Sequence, residues 1–325
     1  MSFLKKLAIV FASTYVLIFM SEHVFWSKPG NGYGSILQQV NPLTWISYYL
    51  ATYSFLCIVH FFRVRDIWSM FLAGALFGWL IEGVVVSTTY DQLPTSICVT
   101  GLSWHSLLSI CVMWYLLRRA LIDKGYVKAA FLSTALGVFW ATWGVWWWSN
   151  AEESWVAPLD LWIPYTFILS GALMVAYWIL SKVAAESFKP TRAEIFVLAL
   201  LNIGWFCWQV VPQKPIALAI LPPLFLVTYL PLKWNRQVEP AANAIVALQA
   251  PISPLNYLML GLMPATASIT YALFVALGRH VRTGPPIFLT QGLVGFAMYA
   301  TAYIIIFVRK ARSTSTCVAL EQERP

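Results

Sequence analysis

Of the 325 residues, 60% are apolar and only 10% are charged. That composition excludes a water-soluble globular chain, because several apolar stretches reach the roughly 20 residues that a bilayer-spanning helix requires. The formal net charge of +8 does not call for nucleic acid as a partner, since the basic residues gather at one side of the apolar stretches, where the membrane surface accounts for them.

Taken in chain order, ten stretches qualify as spans: 5–25, 43–62, 67–88, 97–117, 129–148, 160–181, 193–211, 216–232, 254–277 and 287–308. Backbone facing lipid must satisfy its own hydrogen bonds. Segments of this length without strict alternation therefore form helices and not barrel strands. The expected fold class is all-α, a polytopic integral membrane protein of about ten transmembrane helices in the cytoplasmic or plasma membrane.

The first stretch opens on Lys5 and Lys6 but runs on through Ser21-Glu22-His23-Val24 without a small-x-small cleavage site. It is therefore read as a signal anchor and first span. The second ends at His60, Arg63 and Arg65, the pattern of an interfacial basic anchor with snorkelling side chains.

The third and fourth stretches carry the most information. Glu82 sits inside the apolar run 67–86 and His105 inside 97–117. An ionisable group in hydrocarbon is a functional candidate by default. The short connection 88–96, with Pro94, makes the two helices antiparallel neighbours. At 1.5 Å per residue, Glu82 and His105 then lie about 9 and about 12 Å below their helix ends. Gly74, Gly78 and Glu82 recur at i, i+4, i+8, as do Gly101, His105 and Ser109. Small residues at that spacing admit close helix contact, which turns both side chains into the bundle. A carboxylate beside an imidazole can orient the ring or pass a proton.

The fifth stretch and its exit hold a tryptophan cluster followed by Asn150, Glu152 and Glu153. Such aromatics belong to a membrane-interface belt. Even so, Trp140, Trp143 and Trp147 share a face that suits a prenyl, acyl or ring ligand, with Trp79, Trp104 and Asn150 extending the lining. Glu22 and Glu152 are candidates for a second carboxylate. Glu22, His23, Glu82 and His105 make an oxygen and nitrogen set compatible with a divalent metal cofactor, although no HExxH or paired-histidine spacing specifies one.

The second half carries almost no intramembrane charge. Its buried polar groups reduce to Asn202, Gln209, Asn256 and Gln291, and Pro212, Pro215, Pro222, Pro223, Pro231 and Pro264 kink or interrupt spans eight and nine. The chain thus divides into an N-terminal five-helix half, 1–158, carrying an outward-facing polar site, an apolar Pro-interrupted half, 159–310, and a disordered cytoplasmic tail, 311–325. The five cysteines lack CxxC or metal spacing and read as small apolar thiols.

Placing the N-terminus in the cytoplasm leaves only Lys28, Lys214, Arg279 and Arg282 of the 21 basic residues outside. Both termini are then cytoplasmic, and Glu22, Glu82, Asp91, Glu152, Glu153 and Asp160 fall on the outer side. Ten spans in a chain of this length with both termini inside is similar in layout to the drug/metabolite transporter superfamily, in architecture alone, because no motif of that family aligns here. Paired Glu-Glu-x-x-x-Arg, GxSG, GxGD and DxxxD signatures are absent from the sequence.

Three function classes follow. The first is an integral-membrane enzyme acting on a lipid or isoprenoid, with Glu82 as acid or base and His105 as its partner. The second is a proton-coupled secondary transporter of a small organic solute, which the layout and the broken eighth span favour. The third is a noncatalytic scaffold or receptor. The expected partners are the lipid bilayer and a lipid or small organic substrate.

Overall fold

The computed structural model describes residues 3–27, 29, 41–149, 157–183, 188–238, 243–278 and 285–322. It is helical, with no strand among the described residues. The long helices are α1 (Phe3–Val24), α2 (Pro42–Phe61), α3 (Ile67–Val85), α4 (Thr95–Leu121), α5 (Val127–Ser149), α6 (Leu159–Lys182), α7 (Arg192–Val210), α8 (Ala217–Val238), α9 (Pro254–Ala276) and α10 (Pro285–Gln322). Nine of them, all but α5, are long and apolar enough among the described residues to cross a membrane. This is the layout of an integral membrane protein.

Helix ends follow local chemistry. The Asp66 side chain accepts from the Trp68 and Ser69 N–H groups and starts α3, and a reciprocal Thr191–Glu194 capping box starts α7. Helix α8 continues to Val238 despite Pro222, Pro223 and Pro231. The segment after it forms a turn of helix at Ala244–Ala247. The tail beyond residue 310 continues α10 as helix to Gln322.

The chain folds into two compact units, each assembled from separated stretches. The first comprises Met1–Tyr49, Val112–Ala185 and Leu248–Phe288, and the second Leu50–Cys111, Glu186–Ala247 and Leu289–Pro325. Each unit draws on both sequence halves, and α2, α4 and α10 contribute to both.

In the first unit α5 packs on α9, and α6 packs on both α1 and α9. The core is aromatic. Trp162 stacks on Tyr271 with ring centres 4.0 Å apart and planes 9° from parallel, and Trp140 lies against Phe19, Trp162 and Tyr165. Arg118, only 2% exposed, donates from Nε to the Leu248 carbonyl, from one terminal nitrogen to Ser181 Oγ, and from the other to the Ala250 carbonyl. Its basic end does not snorkel to water. It fastens the segment before α9 by supplying donors to carbonyls that a helix-free stretch would leave unpaired.

In the second unit α3 is buried nearly all round and contacts α4 and α8. That explains a sequence that is apolar on every side apart from Ser69 and Glu82.

Candidate functional site

The α3–α4 interface is made by the predicted small-residue stripes. A Cβ on Gly78 would fall onto the Gly101 backbone, one on Gly74 would lie 2.8 Å from Ser106 Oγ, and one on Gly101 would lie 2.8 Å from the Trp79 ring. Only glycine permits this approach. Ser106 Oγ donates to the Phe71 carbonyl at 2.6 Å, and Trp79 Nε1 donates to the Ile97 carbonyl at 3.1 Å, so polar contacts secure the same seam.

At its upper end the seam brings Glu82 Oε1 within 2.7 Å of His105 Nε2. Both residues lie on widened helical turns with i→i+5 bonding, Ile81–Val85 and Val99–Leu117. Such turns recur at functional sites. The widened turn at Ile81–Val85 is held from outside by the Tyr90 hydroxyl, which donates to the Gly83 carbonyl at 2.8 Å.

Three more groups complete the carboxylate's surroundings. The Thr88 hydroxyl donates to Oε2, and Thr100 supplies a further side-chain hydrogen bond. The Phe77 ring meets the His105 ring edge to face at 5.9 Å. Glu82 is 8% exposed and His105 2%. With so little water present, a charge here depends on its hydrogen bonds, and the pair has them. One proton serves both groups: on Nε2 it makes imidazolium or neutral imidazole donating to a carboxylate, and on Oε1 it makes a carboxylic acid donating to the ring.

Thr88 reaches back because Ser87 adopts a left-handed backbone conformation, φ 61°, which reverses the chain straight after α3. From the α7–α8 connection, Lys214 Nζ donates to the Ser87 carbonyl at 2.9 Å and pairs with Asp91. The segment above Glu82 is therefore held by a cation distant in sequence.

The same unit contains a cavity of about 720 Å³, lined by α2, α3, α7 and α8. Its walls are apolar, among them Ile58, Phe61, Leu76, Leu80, Val84, Leu198 and Phe225, and Asn202 and Ser54 provide a polar spot by bonding to each other at 3.3 Å. Leu80 and Val84 lie two residues either side of Glu82 in sequence. Leu221, another wall residue, packs so closely on Gly83 that a Cβ there would lie 2.9 Å from its Cδ1.

The other predicted site residues are placed differently. Trp79 and Trp104 are buried but line no part of this cavity; Trp79 packs against Tyr299. Trp140 and Trp143 belong to the first unit, where Trp140 is core and Trp143 Nε1 donates to the Phe25 carbonyl at 2.7 Å. Glu22 and His23 also belong to the first unit. Glu22 accepts from the Tyr48 hydroxyl at 2.5 Å and from Trp26 Nε1 at 3.0 Å, and the His23 carbonyl accepts from the Tyr165 hydroxyl at 2.7 Å. The Trp147 side chain, Asn150 and Glu152 lie outside the described residues. Among the described residues no group of three or more His, Cys, Asp or Glu side chains is gathered to hold a metal ion.

Sequence reasoning misses Thr88, Thr100 and the cavity walls. Hydroxyl residues near a helix end carry no signal of their own, and an apolar wall in an apolar helix is indistinguishable from lipid-facing surface until the fold groups it. Compared with protein-family models, with curated proteins and with solved structures, the chain finds no match.

Proposed function

We propose that this chain is an integral-membrane enzyme acting on a lipid or isoprenoid, with Glu82 as the proton-exchanging group and His105 as its orienting and proton-sharing partner. The observation that carries the reading is a large apolar cavity whose wall includes Leu80 and Val84, on the same helical stretch as the Glu82–His105 contact. A cavity of this size and polarity suits an alkyl or prenyl chain. An acid–base group beside the Val84 end of the cavity supplies the proton transfer that a reaction at the part of the chain nearest it requires. In this scheme the termini are cytoplasmic, the pair lies in the outer half of the membrane, and Leu221, seated on Gly83, separates cavity from carboxylate in the resting state.

A second reading, proton-coupled transport of an organic solute, draws on one feature. Helix α8 forms a cavity wall and carries Pro222, Pro223 and Pro231. Proline-bearing helices line the moving parts of many secondary transporters, and α8 keeps its helix through all three prolines.

Comparative lipid profiling of cells expressing wild type or Glu82→Gln at equal levels tests the first reading. A lipid species that accumulates or disappears only with wild type supports it, and identical profiles contradict it.

A further inference from the structure

The cavity ends at Phe61, Phe62 and Tyr229, the stretch where α2 finishes and α8 approaches its own end. There the apolar lining meets cationic side chains. The Arg236 guanidinium lies 4.0 Å over the centre of the Phe61 ring, a wall residue. Arg63 donates from its terminal nitrogen to the Arg236 carbonyl at 3.3 Å.

Arg63 adds a second observation. It occupies a left-handed conformation, φ 55°, immediately past the end of α2, a place that glycine fills at no steric cost. An L side chain there is disfavoured. The arginine at this position brings a guanidinium to the cavity's end.

We infer that the cavity takes the chain of an anionic membrane lipid whose phosphate headgroup is held by Arg236 and Arg63. The wall runs from Ser54 to Phe62 on α2 and from Leu221 to Tyr229 on α8, about 12 Å of each helix, so a chain has length to lie in while its headgroup stays at the charged end. Planar guanidinium groups bind phosphate oxygens in pairs, and basic residues at a membrane surface attract anionic lipid. The charge match selects a phosphate-bearing amphiphile over a zwitterionic one. The inference deepens the lipid reading above and rests on it for the apolar ligand, but it does not depend on Glu82.

The test uses the full chain, purified and delipidated in detergent, offered dioleoyl phosphatidic acid, dioleoyl phosphatidylcholine or inorganic phosphate, with bound lipid counted by native mass spectrometry. Wild type should retain phosphatidic acid roughly tenfold better than phosphatidylcholine. Millimolar inorganic phosphate should not displace it. The double variant Arg63→Gly, Arg236→Gln should lose that preference. Its glycine suits the left-handed position and its Gln lies on an exposed surface, and a thermal melt confirms that it is folded. Ala199→Trp, which fills the cavity, should lower retention of both lipids.

Equal retention of the two lipids, an unchanged preference in the double variant, or displacement by inorganic phosphate alone overturns the inference. The enzyme reading stands or falls separately. Glu82→Gln should bind phosphatidic acid as wild type does, so lost lipid conversion with intact binding marks a failure of chemistry and not of this site.

Discussion

Glu82 and His105, 23 residues apart in sequence, meet through Oε1 and Nε2 at 2.7 Å across a seam of glycines. The contact ties two helices and one proton together. Thr88 and Thr100 bind the carboxylate as well, so the pair is held in place from three sides.

A double-mutant cycle should expose the coupling. Glu82→Ala and His105→Ala each strand the other partner in a buried setting, whereas the double variant removes both polar groups. The coupling in detergent melts should be on the order of 1 kcal/mol, as for polar contacts between membrane helices. Strict additivity of the two single variants would show that the contact carries no energy.

Glycine substitutions should sort by position. Gly78→Ala pushes a methyl group onto the Gly101 backbone and should cost about 1–3 kcal/mol with a lowered melting temperature. At Gly204 a Cβ would meet nothing within 4 Å, so Gly204→Ala should be neutral or slightly stabilising through helix propensity. Equal effects at the two positions would contradict the close α3–α4 approach.

Arg118→Lys should not rescue Arg118→Gln. One ammonium cannot reach the Leu248 and Ala250 carbonyls and Ser181 in the geometry of the guanidinium fork. Both variants should lose on the order of 2 kcal/mol, and limited proteolysis should open the segment before α9. A Lys variant melting with wild type would refute the clamp.

Outside the spans, the Lys128 ammonium at 2.7 Å from Asp123, aided by the Lys124 N–H, holds the Asp123 carboxyl below its usual range. Because the folded value is the lower one, any stabilisation is present above the unfolded value and fades as pH falls through the folded value. The pair is exposed, so the effect on stability is slight. The clean readout is NMR titration of the carboxyl carbon, which should move up toward the ordinary carboxylate value in Lys128→Ala.

Much of the α3–α4 site is legible in the sequence. A buried charge, matched depths and two small-residue stripes set Glu82 and His105 where they can meet, and the 2.7 Å contact between them is a fact of the fold. Thr88 is not legible, since it depends on a left-handed Ser87 that no glycine announces. The tryptophans mislead for a physical reason: rings on one helical face fill a core as readily as they line a ligand site, and Trp140 does the former. Arg118 carries no signal of its own in the sequence, because its burial by the distant segment 248–250 is a tertiary fact. Span order likewise gives no hint that each compact unit gathers stretches from both halves of the chain.

The most direct measurement places purified wild type and Glu82→Gln in vesicles containing a total lipid extract and follows both lipid composition and proton-coupled solute uptake. The account predicts time-dependent conversion of a lipid species by wild type, lowered about 10²-fold or more in Glu82→Gln, with no Glu82-dependent uptake. Solute uptake that follows the proton gradient and requires Glu82, with every lipid unchanged, would contradict it.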